Sequence, residues 1–439
     1  MILVPVVFGL MGFALDLGRL YLIRGELNQA ANAMALAAAA NLNGTVGSLE
    51  NAALSANNTI ISTLGDENRY NFGSLEIGGT SPNGLLTSTV SAPTFYANMS
   101  DATALPSSTN YADGTTAQYV QINLQADAPL LFWSLLTLGQ SQKTSIAALA
   151  VAGMSGPLCT VCDTEDFVVQ DQSGGGDPVN FGFTFNTKYT FYFDCTGTPG
   201  TATTVIPDAT TAIPYVMVDR YNPNLSLDET QQLYRIGAGG LVPLPMSSSN
   251  RQFACFTVGA AEFLWGNTGN GGTSTVPTAC GTAGTVNAQV EEMLCGLYTR
   301  FGDPSVLTAC ANVTDLSSIS TAYSQDTDLA DYDDYTQYGG NGRRIITVPV
   351  VDTLSTAGGT TMNVLGFRQF LVTPTPNPNS GLGNDPSDSH GKFNAIYIGS
   401  IVPVKQGFFS SLTNAVSLPA APIAACGISS GPGKVVLNQ

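Results

Sequence analysis

The cysteines are the first residues with chemistry to offer, and the sharpest motif among them is Cys159-Thr160-Val161-Cys162. A redox pair of this spacing works at a helix N-terminus after a strand, where the thiolate is stabilised. Here a Gly156-Pro157 step precedes it, and Asp163, Glu165 and Asp166 follow. Neighbouring carboxylates raise a thiol pKa. Haem attachment needs a histidine after the second cysteine, and Asp163 stands there. The motif therefore reads as structural. Cys159, Cys162, Cys195, Cys255, Cys280, Cys295, Cys310 and Cys426 make an even set, all beyond residue 158. A disulfide framework is expected. The local pairings it favours are Cys159 with Cys162 or Cys195, and Cys280 with Cys295 or Cys310.

Carboxylates are the second candidates. Asp326, Asp328, Asp331, Asp333 and Asp334 form the densest acidic cluster, followed by Tyr335 and Tyr338. Hard oxygen ligands at that density suit a calcium ion outside the cell, although EF-hand spacing is absent and a solvated acidic turn has the same composition. The acidic residues have no evident basic partners in the sequence. Asp385-Pro386-Ser387-Asp388-Ser389 has the D-x-S-x-S spacing of a von Willebrand A metal site, but a run of Asn, Ser and Gly precedes it where a strand should lead in. It reads as a loop. His390 is the single histidine, which removes two-histidine zinc sites and serine triads. No nucleophile is paired with a base and no glycine loop has a phosphate-binding context, so neither an enzyme nor a resident cofactor, calcium apart, is expected. The net charge of −17, with 15 basic residues against 32 acidic, excludes a nucleic-acid partner. Five Asn-x-Ser/Thr sequons, at Asn43, Asn57, Asn98, Asn224 and Asn312, point only to surface placement.

What must position all this is set by the first 44 residues. Met1 to Leu15 is apolar on every side, which suits lipid or a helical core. From Leu20 the stripe Leu20, Ile23, Leu27, Ala30, Met34, Ala38 repeats at three and four, with Arg24, Glu26, Asn28 and Gln29 mostly off it. The spacing predicts one long helix, roughly 63 Å if it runs about 42 residues. Its first half enters an apolar environment and its second lies along a folded body. Pro5, Gly9, Leu10, Gly12, Asp16, Gly18 and Arg19 are the residues expected to serve assembly: small residues permit close helix approach in an apolar medium, and a proline near the start costs little. Fifteen apolar residues cover only about 22 Å, short of a ~30 Å hydrocarbon core. A cleavable signal peptide ending at Ala33-Met34-Ala35 is disfavoured, because Asp16, Arg19, Arg24 and Glu26 separate the apolar run from those alanines.

The run Val4 to Tyr21, with Glu26-Leu27-Asn28-Gln29-Ala30-Ala31-Asn32-Ala33-Met34-Ala35-Leu36-Ala37 after it, resembles the N-terminal segment of the TadE/TadG-like proteins of bacterial Flp (Tad) pilus systems. Pro5 stands where type IV pilins carry a glutamate. The block from Tyr119-Val120-Gln121-Ile122 through Pro129-Leu130-Leu131-Phe132 to Ala150-Val151-Ala152-Gly153 is similar to the end of a TadG-like head domain. The resemblance implies a pilin-like subunit, held first in the inner membrane and then assembled through its N-terminal helix into an extracellular filament. Its partners would be other copies of itself, the inner membrane before assembly, and the pilus assembly machinery. Two further readings share the same helix: a membrane-anchored assembly factor that never polymerises, and an adhesin head on a membrane stalk.

The expected fold class is α+β: helix 1–44, an α+β head domain 45–155 packed on it, and a larger β-rich, disulfide-stabilised domain 156–439. A second helix is expected over 47–64 with Leu49, Ala53, Ile60 and Leu64 inward, strands over 71–79 and 117–125, a loop with short strands over 80–116, a short helix from Pro129, and a strand from Gln142 to Val151. Further on, Phe181, Phe183, Phe185, Tyr189, Phe191 and Phe193 alternate as one strand or as two folded at Asn186-Thr187-Lys188, whose edges neighbouring copies could bury. Helices are expected over Leu225–Ile236 and Val286–Phe301, and strands over Arg344–Val351, Met362–Val372 and Phe393–Val404.

Overall fold

A computed structural model describes residues 3–59, 80–83, 86–104, 108–130, 132, 142–193, 211–218, 227–240, 254–258, 262–265, 271–273, 288–302, 310, 324–329, 334–354, 362–374, 391–404, 407–408, 428 and 430–438. The chain divides into two compact units: Met1–Ser155 with Val435–Gln439, and Gly156–Lys434. The last strand thus belongs to the first unit, although the chain reads there as a continuation of the second domain.

The first unit sets a long helix on a sheet. Helix α1 runs Leu3–Ala39 and α2 Ser48–Asn58. The strands are β1 (Thr80–Asn83), β2 (Leu86–Val90), β3 (Thr94–Tyr96), β4 (Tyr119–Leu130) and β5 (Gln142–Met154), with a short helix α3 at Met99–Ala102 and, from the far end of the chain, β17 (Val435–Asn438). Their order is β1-β2-β4-β5-β17, with β3 also on β4. The 3.6-period stripe is the buried face of α1: Ile23, Leu27, Ala30, Met34 and Ala38 are sealed, and Leu20 packs at the margin. Beneath it β4 presents Val120, Ile122, Leu124, Ala126 and Ala128, and β5 presents Ala148, Ala150 and Ala152. Their register pairs large with small, Ile122 opposite Ala150 and Leu124 opposite Ala148. Alanines on both layers let the helix lie close to the sheet, which is why an alanine-rich stretch folds here as a packed core. In α2 the inward residues are Ser48, Ala52 and Ala56 rather than Ala53, with Leu49 only half-buried. Ser48 Oγ donates to Gly114 O at 2.7 Å, a contact that periodicity does not register. Ile60 and Leu64, expected on the inward face of this helix, and the strand expected over 71–79 lie outside the described residues. The helix expected from Pro129 begins later, since β4 runs through Leu130 and Phe132 is helical, with 133–141 outside the described residues.

The second unit is β-rich. Its strands are β6 (Thr160–Val161), β7 (Phe167–Gln170), β8 (Lys188–Phe193), β9 (Ala212–Met217), β10 (Ala254–Thr257), β11 (Glu262–Trp265), β12 (Gly271–Thr273), β13 (Ile345–Val351), β14 (Val364–Thr373), β15 (Phe393–Gly399) and β16 (Gly407–Phe408). Two helices, α4 (Leu227–Ala238) and α5 (Ala288–Tyr298), interrupt them. Six strands close a barrel, β13-β14-β15-β8-β9-β7, and five others form a sheet, β12-β11-β10-β6-β16. The barrel is mixed: β7 runs parallel to β13 and β8 parallel to β9. Aromatic rings dominate its core, with Phe191 stacked on Phe393 at 4.7 Å and Phe167, Tyr215 and Phe370 around them. Leu233, Tyr234, Val290, Met293, Leu294 and Leu297 bring the two helices into the same cluster.

Two expectations change here. Only Tyr189, Phe191 and Phe193 of the aromatic run are on a strand. Phe181 and Asn186 adopt left-handed backbone angles, φ 54° and 61°, so the chain between them turns. The Asp177 carboxylate accepts the N–H groups of Val179, Asn180 and Gly182, and the Arg368 guanidinium lies 4.3 Å over the Phe181 ring. Those tethers hold Phe181 and Phe183 in the core without a ladder. The edges of β8 are also not free, since β15 and β9 flank it in the closed barrel.

Candidate assembly interface

The packing stripe of α1 does not stop at Leu20. It continues toward the N-terminus through buried Asp16 and Gly12. A Cβ at position 12 would sit 2.7 Å from Cβ of Phe132, so only glycine lets that ring approach. One turn on, Asp16 Oδ2 accepts the Phe132 N–H at 3.0 Å. Asp16 is only 6 % exposed and supplies the acceptor that the chain leaving β4 needs as it turns helical.

With that side docked, the opposite arc of α1 is left outward. Leu10 is 66 % exposed and Tyr21 79 %, with Val7, Met11, Phe13, Leu15, Leu17 and Leu22 also exposed. Nothing lies within 4 Å of a Cβ built at Gly18 or Gly25. Eight large apolar side chains in about four and a half turns is far more than scattered surface residues provide. The seven residues expected to serve assembly therefore separate. Leu10 and Gly18 face out, Gly12 and Asp16 face in, Gly9 and Arg19 are half-buried, and Pro5 is described only as part of the helix. Met11, Phe13, Leu15, Leu17, Tyr21 and Leu22 complete the outward arc. All-round apolarity hid them, because a run without polar residues has no periodicity to read. Among the described residues no helix is long and apolar enough to cross a membrane.

The five described cysteines are oxidised. The expected local pairings of Cys159 with Cys162 and of Cys280 with Cys295 or Cys310 are replaced by others, while Cys159 with Cys195 involves a residue outside the described ones. Cys162 bonds to Cys255 and Cys295 to Cys310, and Cys159 is also disulfide-bonded. The reason is geometric. Strand β6 lies between Cys159 and Cys162, and three extended residues span about 10 Å, beyond disulfide reach. The β6–β10 register, Thr160 opposite Thr257 and Val161 opposite Phe256, brings Cys162 opposite Cys255. Cys280 cannot pair with Cys295 or Cys310, since those two bond to each other. Cys195, Cys280 and Cys426 lie outside the described residues. The disulfides mark an extracytoplasmic protein.

The acidic cluster disperses onto protein donors. Asp326 is fully buried, accepts the Tyr338 hydroxyl and lies 3.4 Å from Arg344 Nε. Asp328 accepts the Gly339 N–H at 2.5 Å. Asp334 accepts from Thr336 N–H and Oγ and from Asn186 Nδ2, and chiefly the Thr336 bonds hold its pKa below the usual carboxylate value. Asp331 and Asp333 lie outside the described residues, and so do the 385–389 motif, His390, Asn224 and Asn312. Among the described residues no group of three or more acidic, histidine or cysteine side chains is gathered for a metal. The acidic residues do find basic partners after all. Besides Asp326–Arg344, Glu165 Oε1 meets Arg300 at 2.5 Å in the interior, and Arg300 also donates to the carbonyls of Ala238 and Arg343. Long sequence separations, 135 residues for Glu165–Arg300, kept these pairs out of sight.

Comparison with family models, curated proteins and solved structures gives no match.

Proposed function

We propose that the chain is a structural, pilin-like subunit that assembles through α1 into an extracellular filament, in the manner of TadE/TadG-like proteins of Flp (Tad) pili. The observation that carries this reading is the outward apolar arc from Val7 to Leu22, on a helix whose other side is docked on its own sheet. Such an arc is stable only when covered. Covering by the N-terminal helices of other copies makes a filament core, with the inner membrane holding the arc beforehand. The disulfide-bonded β-rich unit is then the exported surface, and it has no catalytic duty. Its charge-poor composition and covalent framework suit exposure to proteases and shear.

Leu10→Asp is the cleanest test. Gly12 is unsuitable because it is packed under Phe132, so its replacement would disturb the fold as well. A charge on the outward arc costs several kcal/mol in an apolar seam. Sheared surface filaments imaged by negative stain should disappear in Leu10→Asp, while the purified variant keeps its unfolding midpoint. Filaments that persist with this subunit in them would overturn the proposal. Filaments that lack the subunit in wild-type cells, by mass spectrometry, would instead favour a membrane-anchored assembly factor.

A further inference from the structure

Strands β5 and β17 form a hairpin whose turn is the whole second unit. Met154 lies opposite Val435, Gly153 opposite Val436 and Ala152 opposite Leu437, so the chain returns directly beside the point where it left. Val435 and Leu437 pack at the margin of the core beneath α1. The two connecting legs stay together beyond the hairpin. The Leu158 N–H donates to Pro432 O at 3.1 Å, and the Val404 N–H donates to Gly433 O at 2.9 Å. A Cβ built at Gly431 would stand 3.2 Å from that of Pro157. The buried Arg368 of β14 anchors the returning leg, since its Nη2 donates to Ser430 Oγ at 2.8 Å. The core beneath α1 draws every residue from the first unit, and the barrel core draws every residue from the second. Both mapped disulfides also close within the second unit.

We infer that Gly156–Lys434 is a module inserted into the β5–β17 turn, and that assembly is a property of the first unit, β17 included, which carries the second as a passenger. The topology supplies the reason. A disordered connection costs more chain entropy the longer it is, whereas a folded insert with its two ends side by side closes the hairpin as a short loop does. The outward arc of α1, the sheet it docks on and β17 at the edge of that sheet all belong to the first unit. Neither core borrows a side chain from the other, so each unit opens on its own. The assembly half of this inference rests on the filament reading above; the insertion does not.

Native-state hydrogen exchange on the full-length chain separates the units. Cys295→Ala with Cys310→Ala loosens α5, which packs in the barrel core, so the slow amides of β13, β14 and β15 should exchange roughly a hundredfold faster. Those of β4, β5 and β17 should keep their wild-type rates. Gly12→Val should do the converse, speeding β4, β5 and β17 together and leaving the barrel alone. β17 is the decisive strand, because residues 430–434 just before it belong to the second unit and its ladder partner belongs to the first. A β17 that follows the barrel, or acceleration of both units in either variant, would overturn the insertion. Sheared filaments from cells producing the cysteine-pair variant should contain the subunit in wild-type amounts per intact chain. Arg300→Met, which loosens the barrel without touching a cysteine, should give the same result. Filaments lost in both variants, with β4 and β5 still protected, would overturn the assignment of assembly to the first unit. Filaments that persist in Leu10→Asp would instead remove the filament reading and leave the insertion to the exchange rates.

Discussion

Asp16 and Phe132, 116 residues apart, are joined by a 3.0 Å hydrogen bond from the Phe132 N–H to the Asp16 carboxylate. The one acidic residue in the apolar half of α1 is thus spent within the subunit, and it fixes how far the helix docks. Asp16→Ala should lower stability by about 1–2 kcal/mol, as loss of a capping acceptor does, whereas Asp16→Asn should retain most of it. Denaturant melts of the two variants decide the matter. Equal melts for Ala and wild type would show that the bond carries nothing.

Gly12 makes the companion case. Gly12→Val forces a side chain into Phe132 and should destabilise by about 1–3 kcal/mol, the usual range for overpacking. Phe132→Ala in the same chain should restore part of that loss, since it removes the ring that position 12 would meet. A double mutant less stable than the sum of the single changes would contradict the contact.

The Glu165–Arg300 pair is buried, and Arg300 also hydrogen-bonds to carbonyls of α4 and β13. Arg300→Met should cost about 3–5 kcal/mol by taking the guanidinium away from the buried Glu165 carboxylate, and Glu165→Gln added to it should recover a large share. Chemical unfolding of the single and double variants reads this. No recovery in the double variant would mean that Arg300 acts through its carbonyl bonds alone.

Alkaline pH probes the barrel. Burial, chiefly, raises the Tyr397 hydroxyl from its ordinary value to about 12, and burial also pushes Tyr335 and Tyr338 up further. A raised folded-state pKa favours the protonated form. The associated stability is therefore complete below the unfolded value of about 10 and is lost as pH rises through about 12, amounting to roughly 2–3 kcal/mol for Tyr397. Phenolate absorbance should titrate in two phases, the later one coinciding with loss of near-ultraviolet circular dichroism. A single phase near the ordinary value in folded protein would refute it.

Reduction separates the two mapped bridges. The 93-residue loop closed by Cys162–Cys255 should contribute about 4–5 kcal/mol and the 15-residue loop of Cys295–Cys310 about 3. Cys162→Ala with Cys255→Ala should accordingly lower stability more than Cys295→Ala with Cys310→Ala. The reverse order, measured by denaturant unfolding, would point to native-state contacts as the larger effect.

What could be read from the sequence was local and periodic. The stripe from Leu20 to Ala38 announces a helix with one buried face, and Val120, Ile122 and Leu124 announce a strand of period two, because both patterns repeat within a few residues. The extents of α4, α5, β13, β14 and β15 were legible to within about two residues at most ends for the same reason, although β15 stops at Gly399, short of Val404. Oxidised cysteines followed from their even number and their company. Everything that depends on two distant segments meeting was decided by the tertiary structure. The alternation of Phe181, Phe183 and Phe185 looks like a strand until Asp177 and Arg368 are seen to turn the chain there. Cys162 chooses Cys255 because β6 pairs with β10. Which side of an all-apolar helix faces outward was settled by Phe132 against Gly12, and the partner of each buried arginine by the closure of the barrel. Periodicity carries the direction of a side chain relative to its own element, and only packing supplies what stands opposite.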